Sequence, residues 1–388
     1  MFSAQLTNLQ SELTTIKNVA QLQDHAIQLF YQSQDPDLWS VVRTLSPNVV
    51  GWRIYNHCGA LTRLYAAYSA FVEELTREFL LKIPDFYGKY TELPAALMKQ
   101  HRIGLSQILA KLSETGPYGH LSEYEIVAEL SRGLAGERHF KLVPEAFFVD
   151  RQNYRLEALA RMLGYLGIEN AENRIARHPE IRSFLTRNLG ESATLRAELK
   201  RFVDLRNEAA HDQVENTIGL PDFQLIADLV EVVCLALVDI MSREIVQRCQ
   251  VVGKLETIGE VIHVYQSGRI PILKMKAVSL KIEDELVILR DDRVTKLAKI
   301  FSIQADGIDF LEITANHGQE LGVRVNVKCN IGDIFAKGPA EKMESVPEPD
   351  SSGREAQSQV STEGSSAEDT DVVEDEVSDE ADTEDPNE

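Results

Sequence analysis

Near residue 250 the spacing of apolar residues switches from three-and-four to two, so one chain must carry two kinds of structure in succession. Before the switch the period is helical. Leu6, Leu9, Leu13, Ile16, Val19 and Leu22 predict an amphipathic helix within residues 1–35, and Asp35-Pro36-Asp37 reads as a turn into the next. Residues 52–82 read as one long helix. Ile54, Cys58, Leu61, Tyr65, Tyr68, Phe71 or Val72, Leu75 and Phe79 recur at three- and four-residue steps until Pro84 stops it. Residues 85–150 are less regular, broken by ETGPYGH and RGLAGERHF, and read as a connecting insertion or an extra subdomain with short helical pieces. Helical spacing returns over 151–168 and 191–212. After Pro221, DFQLIADLVEVVCLALVDIMSREIV is apolar around much of its circumference, which predicts a buried helix.

From about Val251, short alternating runs bounded by turn residues predict strands: GEVIHVY, RIPILKM, DELVILR, VTKLAKIFSIQ, IDFLEIT, LGVRVNV and IFAKG. Many short strands at regular spacing suit a small closed barrel, which removes exposed sheet edges. The expected fold class is therefore multidomain. An N-terminal helical arm covers 1–40 and an all-α helical bundle covers 41–250, with the insertion at 85–150. A small all-β barrel follows over 251–340, then a disordered acidic tail over 341–388.

Charge sets the tail apart. Residues 341–388 hold eighteen acidic and two basic residues, −16 of the chain's −21, leaving −5 for residues 1–340. A Ser/Glu/Asp/Thr-rich segment almost without aromatics cannot bury enough surface to offset its ordering entropy, so disorder is expected. Such a polyanion serves solubility, competes with nucleic acid for a cationic surface, or docks a basic partner. The barrel balances twelve basic against twelve acidic residues, so any nucleic-acid surface has to be local. No run approaches a membrane span, and MFSAQLTNLQSEL lacks a basic region followed by an apolar one. A cytoplasmic location without a membrane partner is expected. Cys58, Cys234, Cys249 and Cys329 lie far apart with no CxxC pair, which predicts reduced, mostly buried thiols rather than a zinc site or disulfide frame. Glu283-Asp284-Glu285 and Asp291-Asp292 read as surface charges at strand ends. His57 and Cys58 are adjacent on one helix and so point apart, which argues against a nucleophile pair.

The chemistry-bearing candidate is Arg206-Asn207-Glu208-Ala209-Ala210-His211. RNA cleavage without a metal or other cofactor needs such groups: a guanidinium to steady a phosphate, an amide to orient it, an imidazole to move a proton. Lys200, Asp204, Asn207 and His211 form one polar stripe, and Leu199, Phe202, Leu205 and Ala209 an apolar one. On a straight helix Arg206 lies about 100° from Asn207 and about 140° from His211. Either the helix ends near His211, or Arg206 swings across on its stem, or a second copy supplies the partners, as a two-fold dimer would. Arg–His spacing alone carries no information, because Arg132 and His139 offer a comparable match in a glycine-containing loop. Of these two matches only the one at Arg206 has Asn directly after the arginine. In the competing reading, Arg206 pairs with Glu208, Asp204 or a distant acid and His211 merely ends the helix.

FVDLRNEAAH, with YAAYSAFVEELTREF before it and DLVEVVCLALVDI after it, resembles the HEPN superfamily in its RiboL-PSP-like or related prokaryotic branches, over roughly residues 40–250. The resemblance implies an all-α bundle with Arg206, Asn207 and His211 at the catalytic positions. It also implies a metal-independent endoribonuclease, with RNA as substrate, whose site is shared across a homodimer. The expected settings are toxin–antitoxin, abortive-infection or other antiviral defence systems, with an antitoxin as partner. The expected chemistry is attack of the 2′-OH on the adjacent phosphate, giving a 2′,3′-cyclic phosphate and a free 5′-OH. Other members have lost activity and serve as RNA-binding or interaction modules.

Downstream, IGEVIHVYQSGRIPI, LKIEDELVIL, KIFSIQADGIDFLEITANHGQELGVRV and IGDIF resemble the second domain of elongation-factor-Tu-type translation factors. The matching points are Ser302-Ile303-Gln304, Gly318-Gln319-Glu320 with Gly322, and Gly332-Asp333. No Gly-x4-Gly-Lys-Ser/Thr loop occurs, so the GTPase domain is missing. This second resemblance implies contact with tRNA, the ribosome or other RNA, and so a translation component as partner, against the alternative of a packing or oligomerisation module. Two function classes follow: a HEPN endoribonuclease, or a catalytically inactive HEPN scaffold whose barrel and acidic tail recruit partners.

Overall fold

Two hydrophobic cores, one among helices and one among strands, divide the described part of the chain. The computed structural model describes residues 2–32, 40, 49–112, 116–138, 140–149, 153–211, 214, 217–265, 268–290 and 293–337. The Asp35-Pro36-Asp37 turn, His139, Asp291-Asp292 and the acidic tail lie outside these residues.

Helix α1 (Ser3–Gln32) lies against α2 (Val49–Lys82) and against α9 (Leu220–Val251). Leu9, Leu13 and Ile16 are its buried stripe, while Val19 and Leu22, expected to continue it, are exposed. Ion pairs fix both contacts: Lys17 to Asp228 at 2.5 Å and Arg63 to Glu12 at 2.5 Å. On α2 the expected stripe is buried from Leu61 through Tyr65, Tyr68, Val72, Leu75 and Phe79, with Pro84 just past its end. The last helix, α9, is buried around most of its circumference, as its composition predicts.

Between α2 and α9 the chain forms α3 (Ala95–Lys111), α4 (Glu123–Leu134), α5 (Leu156–Tyr165), α6 (Ala171–Ala176), α7 (Pro179–Leu189) and α8 (Leu195–His211), with short 3₁₀ turns between some of them. The 17 residues of α3 exceed the short pieces expected for 85–150. Its inward stripe is Leu97, His101, Gly104, Leu105 and Ile108, so two of five core positions carry residues that do not read as apolar. Phe86, Tyr90, Leu97, Leu105, Ile126, Phe140 and Phe147 all join the core formed by α2 and α9. Gly104 shows how close the packing is: a Cβ there would sit 1.8 Å from the carbonyl oxygen of Ala146.

The β region comprises β1 (Glu256–Tyr265), β2 (Ile270–Met275), β3 (Val278–Lys281), β4 (Glu285–Arg290), β5 (Arg293–Ala305), β6 (Ile308–Phe310), β7 (Glu312–Ala315), β8 (Glu320–Val325) and β9 (Ile334–Lys337). The order β4-β9-β1-β2-β8-β5 closes on itself because β4 also pairs with β5. All of these pairings are antiparallel, β6 hangs from β5, and β3 with β7 forms a separate ribbon. Ile258, Val261, Leu273, Leu286, Ile288, Ile300, Ile303, Leu321, Val323 and Phe335 fill the interior. The bulges in β1, at Thr257/Gly259 and Val261/His263, bend that strand between its two neighbours.

Two acidic side chains depart from a surface role. Asp284, expected at the surface, is buried: its carboxylate accepts from the Lys281 N–H at 3.0 Å and pairs with Lys337 at 2.8 Å. Asp333 is buried too and takes both ends of the Arg290 guanidinium, at 2.8 and 3.1 Å. The helical and β parts meet through Val246 of α9, Val287 and Leu289 of β4, and Ala336 of β9. β4 is thus buried on both faces, inward by Leu286 and Ile288 and outward by Val287 and Leu289, which explains its unbroken Leu-Val-Ile-Leu run.

Candidate active site

Helix α8 docks by its apolar stripe. Leu195, Leu199, Phe202 and Val203 are buried, and Leu205 and Ala209 half-buried. The Phe202 ring meets Tyr65 and Tyr68 of α2, with centroids 5.8 and 6.0 Å apart. One turn further on, the Arg206 guanidinium lies over the face of the Tyr65 ring, 3.9 Å from its centre. Tyr65 is held in turn. Its hydroxyl accepts the Tyr154 N–H at 3.1 Å and donates to Asn153 Oδ1 at 3.4 Å. Burial raises the Tyr65 phenol above its usual range, against the nearby Arg206 charge, so the ring stays neutral at physiological pH.

Arg206 also donates from Nη1 to Asn207 Oδ1 at 2.9 Å, so these two expected site residues are brought together. Among the described residues no carboxylate pairs with Arg206. Asp204 is occupied elsewhere, taking Lys200 at 2.6 Å and Arg155, the residue before α5. The Lys200 hydrogen bond, reinforced by Arg155, holds the Asp204 carboxyl below the usual carboxylate range. The Glu208 charge acts on His57 and Cys58 of α2. Burial lowers the His57 imidazole, with Glu208 opposing, and burial raises the Cys58 thiol, with Glu208 adding to the rise. Burial thus holds the Cys58 thiol in its protonated, poorly nucleophilic form. The pairing of Arg206 with Glu208 or Asp204 therefore does not form.

His211 is the last residue of α8 and is exposed, and its imidazole makes no hydrogen bond or ion pair among the described residues. Its exposure follows from its place at the polar end of the stripe, beyond the last half-buried contact at Ala209. One protomer thus assembles a packed Arg206–Asn207 pair and a separate, solvent-facing imidazole. Sequence reasoning missed Tyr65 as the support of Arg206. Its place in the apolar stripe of α2 marks it as core, which it also is.

Among the described residues no three His, Cys, Asp or Glu side chains converge as a metal site would require, and no helix is long and apolar enough to cross a membrane. Cys234, Cys249 and Cys329 are buried and Cys58 half-buried, and none of them is in a disulfide among the described residues. Residues 15–243 match the model of the RiboL-PSP-HEPN family, a span that contains Arg206, Asn207, His211 and the supporting Tyr65 and ends before the strands begin. No curated protein matches the chain.

Proposed function

This chain belongs to the RiboL-PSP-HEPN family, and on that premise we propose that it is a metal-independent endoribonuclease acting as a cytoplasmic toxin or antiviral defence effector. The observation that carries the reading is the state of Arg206. Its charge is positioned by an aromatic face and an amide, and no described carboxylate cancels it. A guanidinium so held is suited to the equatorial oxygens of a phosphorane, where charge develops as the 2′-OH attacks. One imidazole removes the 2′-OH proton while a second protonates the departing 5′ oxygen. Each protomer offers a single exposed His211, so a homodimer joining two copies of Arg206, Asn207 and His211 supplies both roles. Asn207 orients the guanidinium through its 2.9 Å hydrogen bond.

The test is cleavage of RNA in EDTA by the wild type, Arg206→Ala and His211→Ala. Loss of about 10²- to 10⁴-fold in both variants is expected, with 2′,3′-cyclic phosphate ends in the wild-type products. Equal activity in all three would remove the site. The same Tyr65 and Asn207 contacts also suit a purely structural Arg206, and that favours a second reading: an inactive scaffold whose translation-factor-like barrel and acidic tail recruit a translation component or antitoxin. Absence of cleavage by purified dimer freed of any bound antitoxin selects the scaffold.

A further inference from the structure

Helix α7 turns Ile181 and Leu185 inward against α9 and leaves its opposite face bare. On that face Pro179, Arg182, Ser183, Thr186 and Arg187, with Arg177 just before the helix, line a concavity of about 550 Å³. Among the described residues no carboxylate lines it. The neighbours are treated differently: Arg174 pairs with Glu244, Arg196 with Glu157 and Glu172, and Arg243 with Asp239. The guanidinium groups of Arg177 and Arg182 have no hydrogen-bond or ion-pair partner among the described residues. Arg187 donates only to the Ser183 hydroxyl, at 3.2 Å, which holds it over the same face. In a part of the chain whose net charge is −5, three arginines left without counter-charges in one hollow are a local cationic surface.

We propose that Arg177, Arg182 and Arg187, with the hydroxyls of Ser183 and Thr186, form a contact surface for the phosphate backbone of single-stranded RNA, separate from the Arg206 site. Guanidinium forks and Ser/Thr hydroxyls are the donors that engage phosphate oxygens without reading bases, so the surface anchors RNA irrespective of sequence. The N-terminal turn of α7, which opens at Pro179, adds its dipole to the same hollow. Residues 190–194 lead from α7 directly into α8, so consecutive helices carry the anchor and the proposed cleavage site. The choice of RNA as occupant rests on the endoribonuclease reading.

The experiment measures binding of a fluorescent 20-nucleotide RNA to full-length His211→Ala protein in EDTA at several salt concentrations, which separates binding from cleavage. Changing Arg177, Arg182 and Arg187 together to Gln is expected to weaken binding about tenfold or more. It should also lower the slope of log affinity against log salt by about 2, the share of three phosphate contacts on a single strand. The triple Lys variant keeps the charges and should retain most of that slope. All these residues are exposed, and an unchanged melting temperature verifies folding. Unchanged affinity and slope in the Gln variant would overturn the proposal. So would a parent that ignores RNA yet binds, through these arginines, a peptide of residues 361–388, because the surface would then serve an acidic segment. Patch-dependent RNA binding in a protein that never cleaves would sustain this surface and remove the nuclease.

Discussion

The imidazole of His101 is enclosed on α3, with its Nδ1 3.0 Å from the Tyr90 hydroxyl and its Nε2 accepting the Val143 N–H at 3.1 Å. Burial lowers its pKa to about 4. The unfolded chain therefore takes up a proton near the ordinary value of 6.5 that the folded chain refuses until about 4. The corresponding stability is complete above pH 6.5 and is lost as pH falls toward 4, by about 3 kcal/mol at most. Urea denaturation across this range should show the decline in the wild type and a flatter profile in His101→Gln. Tyr65 offers a second test at this scale. Tyr65→Phe keeps the ring beneath Arg206 and should retain most RNA cleavage, whereas Tyr65→Leu removes the stacking, worth about 1–2 kcal/mol, and should reduce kcat about tenfold. Equal activity of the two variants would show that the aromatic face does not matter. Arg206, Asn207 and His211 are legible in the sequence because asparagine directly after the arginine and a histidine a few residues on coincide there. The aromatic support under Arg206 is not, because only folding brings α2 and α8 together.

At the scale of elements, legibility follows the purity of the apolar period. α2 and α9 keep apolar or aromatic residues at most inward positions and are readable from them. α3 hides because His101 and Gly104 occupy inward positions, the one satisfied by two hydrogen bonds and the other required by contact with backbone. Gly104→Ala would place a methyl against the Ala146 carbonyl, which cannot step aside as a side chain could. A loss of a few kcal/mol is expected by chemical denaturation, where an ordinary exposed helical Gly→Ala change would stabilise by about 1 kcal/mol. β4 carries the opposite signal, an unbroken apolar run where alternation is the rule for a barrel strand. Its outward Val287 belongs to the junction with α9. Val287→Asp should split thermal unfolding into two calorimetric transitions, with the helical one almost unmoved, because the core around α2 and α9 does not include that residue. A single transition that falls as a whole would mean the two cores unfold as one.

The whole molecule has its charge and its cores in different places. Both hydrophobic clusters lie within residues 2–337, while −16 of the −21 charges belong to residues 341–388. Removing the tail should leave the calorimetric melting profile of the rest unchanged within a degree or so, and a marked drop would reveal a structural contact that its composition does not predict. The period switch near residue 250 reveals the order of the two halves, but not what joins them, since among the described residues the junction is a small cluster from α9, β4 and β9 with Leu255 and Leu297 packed against it. The ring closure of the barrel also has a consequence for how the protein is made. β9, the last strand, sits between β1 and β4, and α1 rests on α9. A ribosome delivers the chain from its first residue, so α1 and β1 both emerge before the segments that complete their packing. A message cut short before codon 334 would release a product with β1 and β4 both unpaired along one side, and quality-control proteases should clear it while sparing a product that ends after β9.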